Sequence, residues 1–209
     1  MYRHMIIAAL LLFVMGCSQR ETPKPPSAQP QEAAANALTV LQKLVTDQNY
    51  RALGFESADE VKEAQLGQPL AVYYVGLEKL KAYREGTDVN SLLAPYAETI
   101  YPVTVRGNVR SSVTIVHKDA GYEPASFGNA DVVKALSRYR QREGAQNEFV
   151  LRILAFNMYY IARRTENRIT VVPVIDDPRV KTKAGEAISI ESLFSQLRTL
   201  ADSYNELPM

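Results

Sequence analysis

The spacing of apolar and polar positions divides the chain into a leader, a proline-rich stretch and a folded region. Ala34, Leu38, Leu41 and Leu44 or Val45 recur at helical spacing through Asp47, which predicts an amphipathic first helix beginning near Glu32. Ser57 and Glu60 have the spacing of a capping box, so a short helix is expected to about Gln65, stopped by Gly67 and Pro69. Leu70 to Val75 is β-branched and aromatic and reads as a strand. Asn90 to Ala97, with Pro95 inside it, reads as a weaker helical or turn segment. Ile100 to Arg106 and Val109 to His117 are strand-like runs joined by Gly107-Asn108, a pair able to supply positive φ. Val113 and Ile115 are expected to face the core, with Thr114 on the other side.

In the second half, Asp131 to Glu143 carries Val132 or Val133, Leu136 and Tyr139 on one helical face and has Gly144 as its stop. Phe149 to Ala162 is an almost unbroken apolar run, whose aromatic and β-branched content predicts a buried central strand. Arg152 and Asn157 within it argue against a membrane span. A turn around Glu166-Asn167 leads to a second hairpin strand from Arg168 to Ile175, and Ser189 or a neighbour caps a last helix from Ile190 to about Tyr204. Hairpin, loop ending in Gly128 and helix are echoed by hairpin, loop ending in Gly185 and helix. With poor identity between the halves, this reads as recurring grammar rather than duplication. The economical architecture is α+β: a single domain from residue 32 to 209, with an antiparallel sheet built from hairpins and helices packed on it.

Composition narrows the partners. A length of 209 residues suits one core, and 46% hydrophobic with 22% charged residues excludes wholesale disorder and a multispanning protein. The formal charge is +1, and removing the leader with Arg3 leaves 23 basic against 23 acidic residues, a balance that argues against nucleic acid. Cys17 is the only cysteine, so neither an intramolecular disulfide nor a CxxC site is available.

Residues 1–16 open with Met-Tyr-Arg-His, continue through an apolar run from Met5 to Met15 and close on Gly16, the layout of a secretory signal. That run is shorter than the roughly 20 apolar residues a membrane-spanning helix needs. Val14-Met15-Gly16-Cys17 resembles the lipobox of bacterial lipoprotein precursors, with Met15 a less usual occupant of its position. The resemblance implies cleavage before Cys17, a diacylglycerol thioether on its sulfur and acylation of the new amino group. It implies attachment to an envelope membrane and, with Ser18 next, export to the outer membrane of a two-membrane cell. Residues 17–31, with prolines at 23, 25, 26 and 30, are expected to be a lipidated cysteine and an extended tether, reaching about 40 Å at ~3.1 Å per residue.

Catalytic sets are hard to assemble from what remains. A Ser-His-Asp arrangement depends on His117 at a strand end, and zinc has one histidine and no spare thiol. Asp176-Asp177-Pro178 lacks calcium-loop spacing and reads as a turn, and no phosphate-cradling glycine motif calls for a nucleotide cofactor. Arg138 and Arg142, one helical turn apart, together with Arg163 and Arg164 are the candidate contacts for an anionic ligand: lipid headgroups or cell-wall polymer. Tyr73, Tyr74, Tyr159 and Tyr160 fall in predicted strands, where packing explains them. The reading is therefore a non-catalytic envelope lipoprotein whose domain binds a protein or polymer partner. Its alternative is a periplasmic hydrolase or small-ligand carrier using carboxylates and tyrosines.

Overall fold

Strand-forming runs broken by short turns gather the chain into one mixed α+β sheet. The computed structural model describes residues 26–128, 132, 133, 135, 136, 138, 139, 147–166 and 168–204. The strands are β1 (Gln65–Leu66), β2 (Leu70–Val75), β3 (Ala94–Val105), β4 (Asn108–Lys118), β5 (Gly121–Phe127), β6 (Glu148–Ile153), β7 (Met158–Arg164), β8 (Ile169–Pro173) and β9 (Ile188–Ser189). Their order is β5-β4-β3-β2-β6-β7-β8-β9, with β1 paired to β3. Two antiparallel meanders, β2 to β5 and β6 to β9, thus run outward from a central pair, β2 and β6, which is parallel. The hairpin echo in the sequence corresponds to these two meanders.

Alternation along the strands assigns the faces. Leu70 pairs with Ile100, and both join Val72, Val150, Ile161 and Val172 beneath a helical segment that brings in Val132, Leu136 and Tyr139. Tyr101 and Leu151, each one residue further along its strand, therefore point to the opposite face. On that face helix α1 (Pro30–Leu44) packs Ala33, Ala34, Ala37 and Leu41 on Tyr101, Val103, Val113 and Ile115. Helices α2 (Leu77–Ala82) and α3 (Ile190–Asp202) pack Leu80, Leu193, Phe194 and Leu197 on Leu151, Tyr160 and Val171. Ser189 caps α3 by accepting from Ser192 N–H at 3.1 Å, as its sequence predicts. Thr114 lies on the face opposite Val113 and Ile115, as expected, but is buried there as well.

Several boundaries differ from expectation. The β3–β4 turn is Arg106-Gly107, with φ of 50° and 79°, while Asn108 already pairs with Val105. Phe149 to Ala162 is not one strand: β6 and β7 form a hairpin around a 3₁₀ turn, Leu154–Phe156, closed by Asn157 at φ 51°. Asn157 supplies the left-handed conformation that only glycine and short polar side chains adopt readily. Asp59–Glu63 is a 3₁₀ turn; Ser57 accepts from Glu60 N–H, but Glu60 reaches back to Glu56 N–H rather than to Ser57. Pro95 lies inside β3, opposite Tyr73 at a register shift, a place where its missing N–H is tolerated. Folded structure also begins before residue 32, because α1 starts at Pro30 and Ser27 bridges to Tyr122. Cys17, Asp131, Arg142, Gly144 and Asn167 lie outside the described residues.

Candidate functional site

Parallel strands are usually covered on both faces, and β2 and β6 are the parallel pair at the centre of this sheet. Here one face of β2 is covered by the helical residues Val132, Leu136 and Tyr139, while on the other face only its end is covered, Val75 packing with α2 and α3, and the start of the strand is open. Ala71, flanked by β3 and β6, is exposed, and Tyr73 is half-buried. The resulting cleft holds about 500 Å³. Ala71, Tyr73 and Phe149 form its floor, with Asn147, Glu148 and Arg164 around the rim. Tyr73 and Phe149 meet edge to face at 5.1 Å, and the Arg164 guanidinium lies 5.9 Å and 5.3 Å from their centroids. Such ring contacts hold a guanidinium in place while leaving its N–H groups available to a ligand.

Beside this cleft, across residues 164–166, lies a smaller hollow of about 130 Å³ that Arg164, Glu166, Arg168 and Glu191 line together. A third hollow, about 470 Å³, opens on the other face between Arg138, Tyr139, Val172 and the 184–186 turn.

These positions separate the arginines that the sequence groups together. Arg163 and Arg164 are neighbours in β7, so strand alternation sends them to opposite faces. Arg163 stands over the Tyr139 ring at 5.5 Å, on the side of the sheet covered by the helical residues that include Arg138, whereas Arg164 lines the cleft. Arg163 also pairs in register with Glu148. Arg138 and Arg163 therefore share a face, and Arg164 works apart from them.

One cluster is not visible in the spacing of the sequence. On the helical-segment face, Arg152 donates to Glu98 at 2.9 Å and is sandwiched 4.9 Å from both the Tyr96 and Tyr159 rings; Tyr74 meets Tyr96 edge-on at 5.7 Å. Tyr96 lies in the β3 stretch where the register with β2 shifts, so strand spacing alone does not show that its ring meets the guanidinium. Tyr160, by contrast, is core, and burial pushes its phenol pKa upward.

Asp176, Asp177 and His117, the other residues weighed for chemistry in the sequence, have structural partners. Asp177 is buried and holds Arg179 through both carboxylate oxygens while capping the Pro178–Val180 turn; the Arg179 hydrogen bonds hold its carboxyl below the usual range. Asp176 accepts from Ala184 N–H at 2.7 Å. Both aspartates thus serve the turn that the sequence suggests. His117 stacks on Tyr122 at 4.6 Å. Among the described residues no three His, Cys, Asp or Glu side chains group as metal ligands, and no helix is long and apolar enough to cross a membrane. No family model matches the chain, and no curated protein or solved structure matches it.

Proposed function

We propose that this protein is a lipid-anchored, non-catalytic binding domain of the bacterial envelope, held through Cys17 at the periplasmic side of the outer membrane, with the cleft over β2 as its ligand surface. The ligand is a cell-wall polymer or an envelope protein. The anchor rests on the lipobox resemblance at Val14 to Cys17 and on Ser18. The cleft rests on one observation: Ala71, in the central strand of the sheet, is exposed next to an arginine fixed over two aromatic rings. An open surface of this kind suits a chain-like ligand better than a small enclosed one, because it buries a ligand on one side only.

Sedimentation of the full chain with isolated envelope material tests this reading. Arg164→Glu removes a fixed donor and adds a repelling charge, so its bound fraction should fall at least fivefold, while the double change Arg138→Glu with Arg142→Glu on the other segment should alter it less. An Arg164→Glu protein that folds and sediments like the wild type would contradict the assignment of the cleft. If only the Arg138 and Arg142 changes abolish sedimentation, the ligand surface is on the other face.

A further inference from the structure

The small hollow beside the cleft gathers charges of both signs that do not neutralise one another. Arg164, Glu166, Arg168 and Glu191 line it, with Asn90 adding an amide and Ile169 an apolar wall. All four charged residues are exposed, and among the described residues no ion pair joins any of them to a partner. This contrasts with the β3–β4 end of the sheet, where Arg106 pairs with Glu63 and Arg110 with Glu56 and Glu60.

Local structure accounts for two of the four, Arg164 over its aromatic rings and Glu191 at a helix start, and leaves Glu166 and Arg168 without such a role. Glu191 stands in the first turn of α3, where the helix dipole favours an acid. The same dipole disfavours cations there, yet Arg164 and Arg168 line the same hollow, and aromatic contact holds the Arg164 guanidinium. Two guanidiniums next to a helix N-terminus suit a carboxylate, which they can bind through paired N–H donors. Glu166 and Glu191 supply the opposite charge nearby. Continuity with the Tyr73–Phe149 floor through Arg164 gives an apolar surface for whatever lies between the two charges.

We infer that this hollow binds a short zwitterionic peptide with both ends free, such as a fragment released from a cell-wall polymer: its carboxylate lies between Arg164 and Arg168, its ammonium faces Glu166 and Glu191, and its side chains lie toward the cleft floor. The inference rests on the cleft reading above and names the ligand of that site. It needs both charges on one molecule, which separates it from simple anion binding.

Calorimetric titration of the full chain in detergent micelles at low ionic strength tests it, with trialanine bearing free ends, its N-acetyl form and its C-terminal amide as probes. Free trialanine should bind saturably at one site, and each blocked form at least tenfold more weakly. Arg168→Ala should weaken trialanine at least fivefold. Glu191→Gln should also weaken it, and acetylation should then cost less than it costs the wild type. Both positions are exposed, and unchanged circular dichroism spectra verify the fold. Absence of saturable binding, or equal binding of all three peptides, overturns the inference. If envelope sedimentation still depends on Arg164 in that case, the cleft reading stands and only the ligand class is wrong.

Discussion

Ser27 and Tyr122 exchange both of their backbone hydrogen bonds, each 2.9 Å, so the chain preceding α1 is clasped to the edge strand β5. Asn36 of α1 adds a side-chain bond to the Ser27 hydroxyl at 3.3 Å, and Ser27 is buried. If Cys17 carries lipid, the tether therefore ends at Pro26. The span from Ser18 to Pro26 then reaches about 28 Å at ~3.1 Å per residue, rather than the 40 Å that the sequence suggests.

The clasp depends on Gly121. Its φ is 127°, and a Cβ there would lie 2.7 Å from Ser27 O. Gly121→Ala should cost about 1–3 kcal/mol, because the conformation is strained for an L side chain and the clasp must shift. Hydrogen exchange should accelerate at the Ser27 and Tyr122 amides far more than at Leu151 in the core. Uniform acceleration across the sheet would show that the clasp is not a local unit.

Arg152 should be worth more than an exposed charge. It is sandwiched by Tyr96 and Tyr159 and paired with Glu98, which is itself partly buried. Arg152→Ala should destabilise by about 1–3 kcal/mol, and a double-mutant cycle with Glu98→Gln should give coupling of about 1 kcal/mol. Urea unfolding measures both. Additive losses would mean that the ion pair is incidental.

Acid stability should report on Asp177. The Arg179 bonds depress its folded pKa, so the stabilisation is fully present above its unfolded pKa of about 3.9 and is lost as pH falls through the lower folded value. Asp177→Asn should cost about 1–3 kcal/mol at neutral pH and flatten the fall in stability below about pH 4. A mutant with the same acid slope as the wild type would place that slope elsewhere.

Much of the fold is legible in the sequence where a local signal coincides with the final structure. Leu70 to Val75 has clear strand character, and Ser189 caps its helix through its own side chain, so neither needs distant contacts to be identified. The β6–β7 hairpin is different. Apolar residues continue through its turn, because Leu154, Ala155 and Phe156 make up the turn itself and only Asn157 marks the reversal. The face of α1 also shifts toward Ala33 and Ala37, leaving Leu44 47% exposed, since small residues allow the helix to sit close to the sheet.

The cleft escapes sequence reading for another reason. Nothing in Leu70-Ala71-Val72-Tyr73 shows that Ala71 lacks a roof, because that depends on where helices from distant parts of the chain come to rest. The division between Arg163 and Arg164 follows from strand alternation alone once β7 is known to extend through both.

The proposed place of this protein in the envelope depends on the chemistry of Cys17. Intact mass and N-terminal fragmentation of the mature protein, purified from membranes, test it most directly. The account predicts a chain beginning at Cys17 with a diacylglycerol thioether, and complete loss of lipid in Cys17→Ala. A mature chain whose cysteine is an unmodified thiol, or an alanine variant that still carries lipid, would contradict it.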